Sequence, residues 1–202
     1  MDKTVVLGLG GQKCGTTWVH RYISADRSFV DGLVKEYHVW DRREIKLFKG
    51  MRRNLSGIRC REDAWMWALE RFPGLYFKHF SRLLEDGGIA ADITPSYSGL
   101  TASCLARIRD EFESKGVKVK VIFLMRDPVQ RCISAVKHNR ARGGNREGVP
   151  RAVGFTEALD VYYQSEHAML RTKYENTVNN IDRVFGDDQV FLWHLRRSFY
   201  PT

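Results

Sequence analysis

Apolar residues run almost unbroken from Thr4 to Leu9 and stop at Gly10-Gly11, which predicts a buried β-strand closed by a glycine turn. From Thr16 to Ile23 the apolar spacing lengthens to that of a helix. A weak strand is predicted over Phe29–Val34, and helices over Arg42–Lys49 and Glu62–Arg71. The second of these sets Trp65, Leu69 and Phe72 at helical spacing and breaks at Pro73-Gly74. A further helix, Tyr76–Leu84, leads through Gly87-Gly88 into a short strand, Ile89–Ile93. Ser98–Ser114 reads as a helix closed by Gly116. Val117–Met125 is nearly continuous in apolar residues, as a central parallel strand is. Pro128 suits the first turn of a helix running to Arg142. "RGGNREGVP" at 142–150 is a polar loop, Phe155–Phe185 reads as largely helical, and Gln189–His194 as a last strand. Strands alternate with helices, so the fold class is α/β with a mostly parallel sheet. No repeat or linker divides residues 1–202, which implies a single domain.

A chain of 202 residues can bury a substantial core. Its net charge of +9 is spread along the whole length rather than gathered in a tail. That favours an anionic ligand or substrate. Nucleic acid is disfavoured as partner, because no aromatic-basic motif of RNA-binding type accompanies the charge. The four cysteines, Cys14, Cys60, Cys104 and Cys132, form no CxxC pair and no zinc spacing. Reduced thiols and a cytoplasmic location are the simplest expectation. No run approaches the ~20 apolar residues of a membrane span, and Val5–Leu9 is too short for a signal peptide.

Residues 8–20, "GLGGQKCGTTWVH", nearly fit the phosphate-loop pattern GxxxxGK[ST]. Gly10 and Gly15 are correctly spaced, and Thr17 supplies the hydroxyl. Thr16 occupies the lysine position, and Lys13 lies inside the loop instead. Strand, glycine loop and helix in that order present backbone N–H groups and a helix N-terminus to an anion. The loop therefore serves either a nucleoside triphosphate in a variant manner or a different phosphate ligand. The one candidate for a metal-binding aspartate after a strand is Asp127, flanked by Arg126 and Pro128.

Four motifs carry a resemblance. "QKCGTTW" resembles the 5′-phosphosulfate loop of sulfotransferases that use 3′-phosphoadenylyl sulfate (PAPS). "LMRDPVQRCIS" at 124–134 resembles their 3′-phosphate site, with Arg126 and Ser134 as the phosphate ligands. "KEYHVWD" at 35–41 and "DITPSY" at 92–97 resemble segments of the carbohydrate (heparan-type) enzymes. The motifs stand in family order over residues 4–195.

The resemblance implies a three-layer α/β sandwich of the P-loop NTPase-like kind and an in-line transfer of the sulfuryl group to an acceptor hydroxyl or amine. It implies Glu36 as catalytic base, with His38 as the alternative base. Lys13, assisted by Lys35, would stabilise charge on the bridging oxygen. The amides of Cys14, Gly15, Thr16 and Thr17 and the two threonine hydroxyls would hold the 5′-phosphate. Trp18 would stack on the adenine or pack inward. No metal is implied, and the acceptor would be a small molecule or a carbohydrate, its specificity set by residues 40–90 and 140–165.

There are three departures from the family pattern. Ile93 stands where the carbohydrate enzymes usually place a lysine. GTTW is closer to the cytosolic small-molecule branch, whereas KEYH is closer to the carbohydrate branch. Members usually continue into a basic, glycine-containing loop over the cofactor, and only Arg196 and Arg197 stand near that position here. Two alternatives therefore stay open: a nucleotide-dependent phosphotransferase with a variant loop, and a non-catalytic binding domain.

Overall fold

The structure is a computed structural model that describes residues 2–143 and 146–195. Its sheet contains β1 (Lys3–Gly10), β2 (Gly88–Asp92), β3 (Lys118–Arg126) and β4 (Val190–Leu195), all parallel, in the spatial order β2-β1-β3-β4. Side chains alternate between the two faces. Val5, Leu7 and Leu9 of β1 and Val119, Val121 and Phe123 of β3 enter the main core. Val6, Ile122 and Leu124 enter smaller clusters on the opposite face. Burial on both faces explains why β1 and the middle of β3 read as continuous apolar runs rather than alternating ones.

Helices α3 (Arg61–Arg71), α4 (Pro73–Leu83), α5 (Ala102–Glu113) and α9 (Tyr174–Asp182) contribute Leu69, Phe80, Phe112 and Ile181 to the main core. Helix α1 (Thr16–Ile23) packs Val19 against Leu124 on the other face. Helix α6 (Pro128–Ala141) joins α7 (Phe155–Tyr163) and α8 (Glu166–Thr172) in a separate cluster built on Cys132, Val136, Ala158, Tyr162 and Ala168. This is the expected α/β architecture, with helices on both faces of a parallel sheet. Among the described residues no helix is long and apolar enough to cross a membrane.

Several boundaries differ from expectation, each for a local reason. Phe29–Val34 is not a strand: it meets β2 only through a bridge from Phe29 to Ile89, with Asp31-Gly32 following. Arg42–Lys49 splits into α2 (Trp40–Glu44) and a 3₁₀ turn over Lys46–Met51. Pro95–Gly99 is a separate 3₁₀ turn, and α5 starts later because the Thr101 hydroxyl accepts from the Cys104 amide at 3.3 Å. Phe155–Phe185 is broken into three helices, the second of them capped by Ser165, which accepts from the Ala168 amide at 3.1 Å. Asp127 caps α6 by accepting from the Gln130 amide at 2.8 Å, with Pro128 at the first helical position as expected. Residues 144 and 145 of the polar loop, and Arg196-Arg197, lie outside the described residues.

The chain leaves β1 toward one neighbour, β2, and later returns to the other side as β3. The loops after β1 and β3 thus meet where the strand order reverses, the usual place for a ligand crevice in an open parallel sheet.

Candidate active site

The loop after β1 reaches α1 through Gly15, whose φ of 94° is left-handed and favours glycine. Gly15, at the N-cap of α1, has no side chain to cap it. In its first turn the Trp18 amide donates to the Gly15 carbonyl at 2.9 Å, which leaves the Thr16 and Thr17 amides to carry the positive end of the helix dipole toward the cleft. Lys13 also has a left-handed φ, 67°. Its ammonium is held below the usual lysine range, first by burial and then by the neighbouring charges of Arg142, Arg126 and Lys35. Among the described residues no carboxylate lies within ion-pair reach of it. The Arg126 guanidinium donates to the Lys13 carbonyl at 3.3 Å, so the end of β3 supports the loop.

The next segment has little regular structure, yet every amide from Tyr37 to Val39 is held. Tyr37 N donates to Asp92 Oδ1 at 3.2 Å, His38 N to the Thr94 hydroxyl at 3.4 Å, and Val39 N to the Tyr97 hydroxyl at 3.2 Å. Ile93 N donates to the Lys35 carbonyl at 2.8 Å. The two quoted motifs, "KEYHVWD" and "DITPSY", are therefore partners: the second is the cradle of the first. Asp92, fully buried, is its centre, accepting also from the hydroxyls of Thr94, Tyr76 and Tyr97 at 2.5, 2.9 and 2.8 Å. Burial pushes its carboxyl up to about 6, against the pull of these donors.

This cradle sets a row of charges. Lys35 Nζ lies 2.8 Å from Glu36 Oε1 and donates to the Thr17 hydroxyl at 3.1 Å. His38 Nε2 lies 3.3 Å from Glu36 Oε2, and its Nδ1 lies 2.7 Å from Asp41 Oδ2. Asp41, buried, also accepts from the Ser96 hydroxyl. Burial alone would raise Glu36, but hydrogen bonds from His38 and Lys35 bring it down to about 2. Burial likewise opposes charge on His38, but the bonds to Asp41 and Glu36 raise it to about 9. At neutral pH the row is ammonium, carboxylate, imidazolium, carboxylate.

These groups line one cleft of about 510 Å³ that gathers Lys13, Gly15, Thr16 and Thr17 with Lys35, Glu36 and His38. Arg42 and Met51, and His138 and Arg142 at the end of α6, also line it. Both 40–90 and 140–165 thus contribute to the cleft, although Arg42 and Arg53 are paired with the buried carboxylate of Glu70.

Other expected residues lie elsewhere. The Cys14 side chain is buried against Val19 and Leu124, 3.8 Å from the Tyr174 hydroxyl, and burial pushes its thiol up. Cys14 does not line the cleft, and its amide, expected to face the 5′-phosphate, donates to the Gly11 carbonyl at 3.1 Å instead. Trp18 does not pack inward: it is 66% exposed and stacks on Tyr22 with ring centroids 5.5 Å apart. Arg126 and Ser134 are half-buried and outside the cleft lining. Ile93 is buried beneath Gly8, in an apolar cluster with Val6 and Ala91.

Sequence reasoning missed Asp41, Ser96, Glu147 and Arg171 in the cleft wall. Asp41 had a signal, since it follows His38 by three residues within a quoted motif. Glu147 and Arg171 had none, because their partners are distant in the chain.

A family model described as "Sulfotransferase domain" matches residues 3–193. A search of curated proteins finds no match. Among solved structures, the crystal structure of a sulfotransferase from Alicyclobacillus acidocaldarius is similar, with a TM-score of 0.56 and 21% identity, over 96% of this chain and 73% of that one. That likeness shows a shared fold, and the family model covers nearly the whole chain: it belongs to the sulfotransferase domain family.

Proposed function

We propose that this chain transfers the sulfuryl group of PAPS to a hydroxyl or amine of a small-molecule or carbohydrate acceptor. The observation that carries the proposal is the state of Lys13. Its ammonium sits half-buried beside an uncapped helix N-terminus, crowded by cations and without a carboxylate partner among the described residues. Such a site asks for an anion.

PAPS supplies an activated sulfuryl group on a phosphate leaving group. The chain's residues do the rest. The amides of Gly15, Thr16 and Thr17 and the two hydroxyls bind the 5′-phosphate end. Lys13 stabilises the charge that grows on the leaving oxygen. Arg126 and Ser134 are assigned to the 3′-phosphate, and the exposed Trp18 to the adenine face.

Glu36 takes the acceptor proton. His38 is not the base in this scheme, because it stays protonated to about 9; it holds the Glu36 carboxylate in place. Lys35 is shared between Glu36 and Thr17. A bound anion gives that ammonium a second partner, loosens its grip on Glu36 and makes the carboxylate a better base. Lys35 also takes over the charge missing at Ile93, whose amide bonds the Lys35 carbonyl.

The phosphotransferase alternative is weakened by Thr16 at the lysine position of the loop pattern, and its metal-binding candidate, Asp127, has one carboxylate oxygen engaged in capping α6. The four unpaired thiols support a reducing, cytoplasmic setting. The test is transfer of radiolabelled sulfuryl from PAPS to a panel of phenols, amines and glycans. Label in an acceptor, lost in Glu36→Gln, is the expected result. No transfer by a protein that binds adenosine 3′,5′-bisphosphate would favour the non-catalytic domain.

A further inference from the structure

Glu147 is out of place in a cleft that favours anions. Its side chain is 14% exposed and faces the same space as Lys13. A carboxylate there weakens anion binding by direct repulsion, so its presence needs another cause.

Three donors converge on it. Gln12 Nε2 donates at 3.2 Å, Asn139 Nδ2 at 3.1 Å and Arg171 Nη1 at 2.6 Å. Arg171 Nη1 also donates to Gln12 Oε1 at 2.9 Å. Both ends of the Gln12 amide are therefore pinned. Gln12 is the residue before Lys13, whose backbone is left-handed; Glu147 itself has a left-handed φ of 55°. Arg171 is 6% exposed and lies over the Phe48 ring at 5.3 Å, so α8 supplies a fixed anchor.

We infer that Glu147 is a positioning residue, which with Arg171 clamps Gln12 and so fixes the loop that aims Lys13. The geometry of the clamp is independent of the proposed reaction. Its consequence for PAPS rests on that proposal.

A charge role and a clamp role predict opposite signs. If Glu147 acted through its charge alone, Glu147→Gln would tighten binding of adenosine 3′,5′-bisphosphate. A clamp makes the same variant bind about tenfold more weakly, because the substituted carboxamide offers donors where Gln12 needs an acceptor. Gln12→Leu is the second variant. It keeps the Glu147–Arg171 pair and cuts only the tie to the loop, so the fold stands if Glu147→Gln is unstable.

The measurement is hydrogen exchange of peptides covering residues 10–19 in the unliganded protein, with calorimetric titration of the bisphosphate alongside. Faster exchange in that loop, with β1 and β3 protected as in the parent, and weaker bisphosphate binding support the clamp in either variant. Unchanged loop exchange in Gln12→Leu, or tighter binding in Glu147→Gln, overturns it. If the parent protein does not bind the bisphosphate, the proposed reaction fails, while the exchange comparison still decides the clamp.

Discussion

His38 and Asp41 share a hydrogen bond of 2.7 Å, and the far side of the same imidazole faces Glu36 at 3.3 Å. A ring between two carboxylates holds its proton. Its ionisation is raised to about 9, so the stabilisation it gives is fully present below the ordinary histidine value of about 6.5 and is lost as pH rises through about 9. NMR titration of the His38 ring should show a midpoint near 9, moving down in Asp41→Asn. A midpoint near 6.5 in the parent would free His38 to act as a base and contradict the assignment.

Glu36→Gln should lower kcat at least about 100-fold, as loss of a positioned base does. Bisphosphate affinity should change little, because the substitution leaves the loop and α1 intact. The two effects separate in a steady-state assay paired with calorimetry. Equal loss of both would mean that Glu36 acts in binding instead.

Lys35→Ala removes an ammonium that holds Glu36 down. The Glu36 carboxyl should rise, and the acidic limb of the pH–rate profile should move upward with it. The sign follows from the pair at 2.8 Å: losing a cation favours the protonated acid. A limb that stays in place, or moves down, would show that Lys35 does not govern Glu36.

Asp92→Asn should destabilise the protein by about 3 kcal/mol, since one amide oxygen cannot replace two carboxylate oxygens for buried donors. Tyr76, Tyr97 and Thr94 all donate to that carboxylate. Denaturant unfolding measures the change. Activity should fall with it, because the Tyr37–Val39 backbone hangs from the same cradle.

The sheet was legible because β1 and β3 are apolar on both faces, a signal that needs no tertiary knowledge. Helix starts were less so. Thr101, Asp127 and Ser165 set them by capping, and each is an ordinary polar residue until its partner amide is known. In the cleft, the motifs bearing Lys13, Glu36 and His38 could be read in order along the chain. The dependence of one motif on another could not. Asp92 looked like one member of a short motif, and only the fold shows it beneath Tyr37. The Gln12–Glu147–Arg171 network joins residues 135 and 159 positions apart, and no local pattern encodes such a pairing.

On the proposed reaction, the loop from Gly10 to Thr17 serves the phosphates of PAPS rather than those of a nucleoside triphosphate. Calorimetric titration with adenosine 3′,5′-bisphosphate, beside ADP and ATP·Mg²⁺, tests it most directly. Selective binding of the bisphosphate is expected, weakened about tenfold or more in Arg126→Ala through loss of a guanidinium–phosphate contact. Preference for ATP·Mg²⁺ would contradict it.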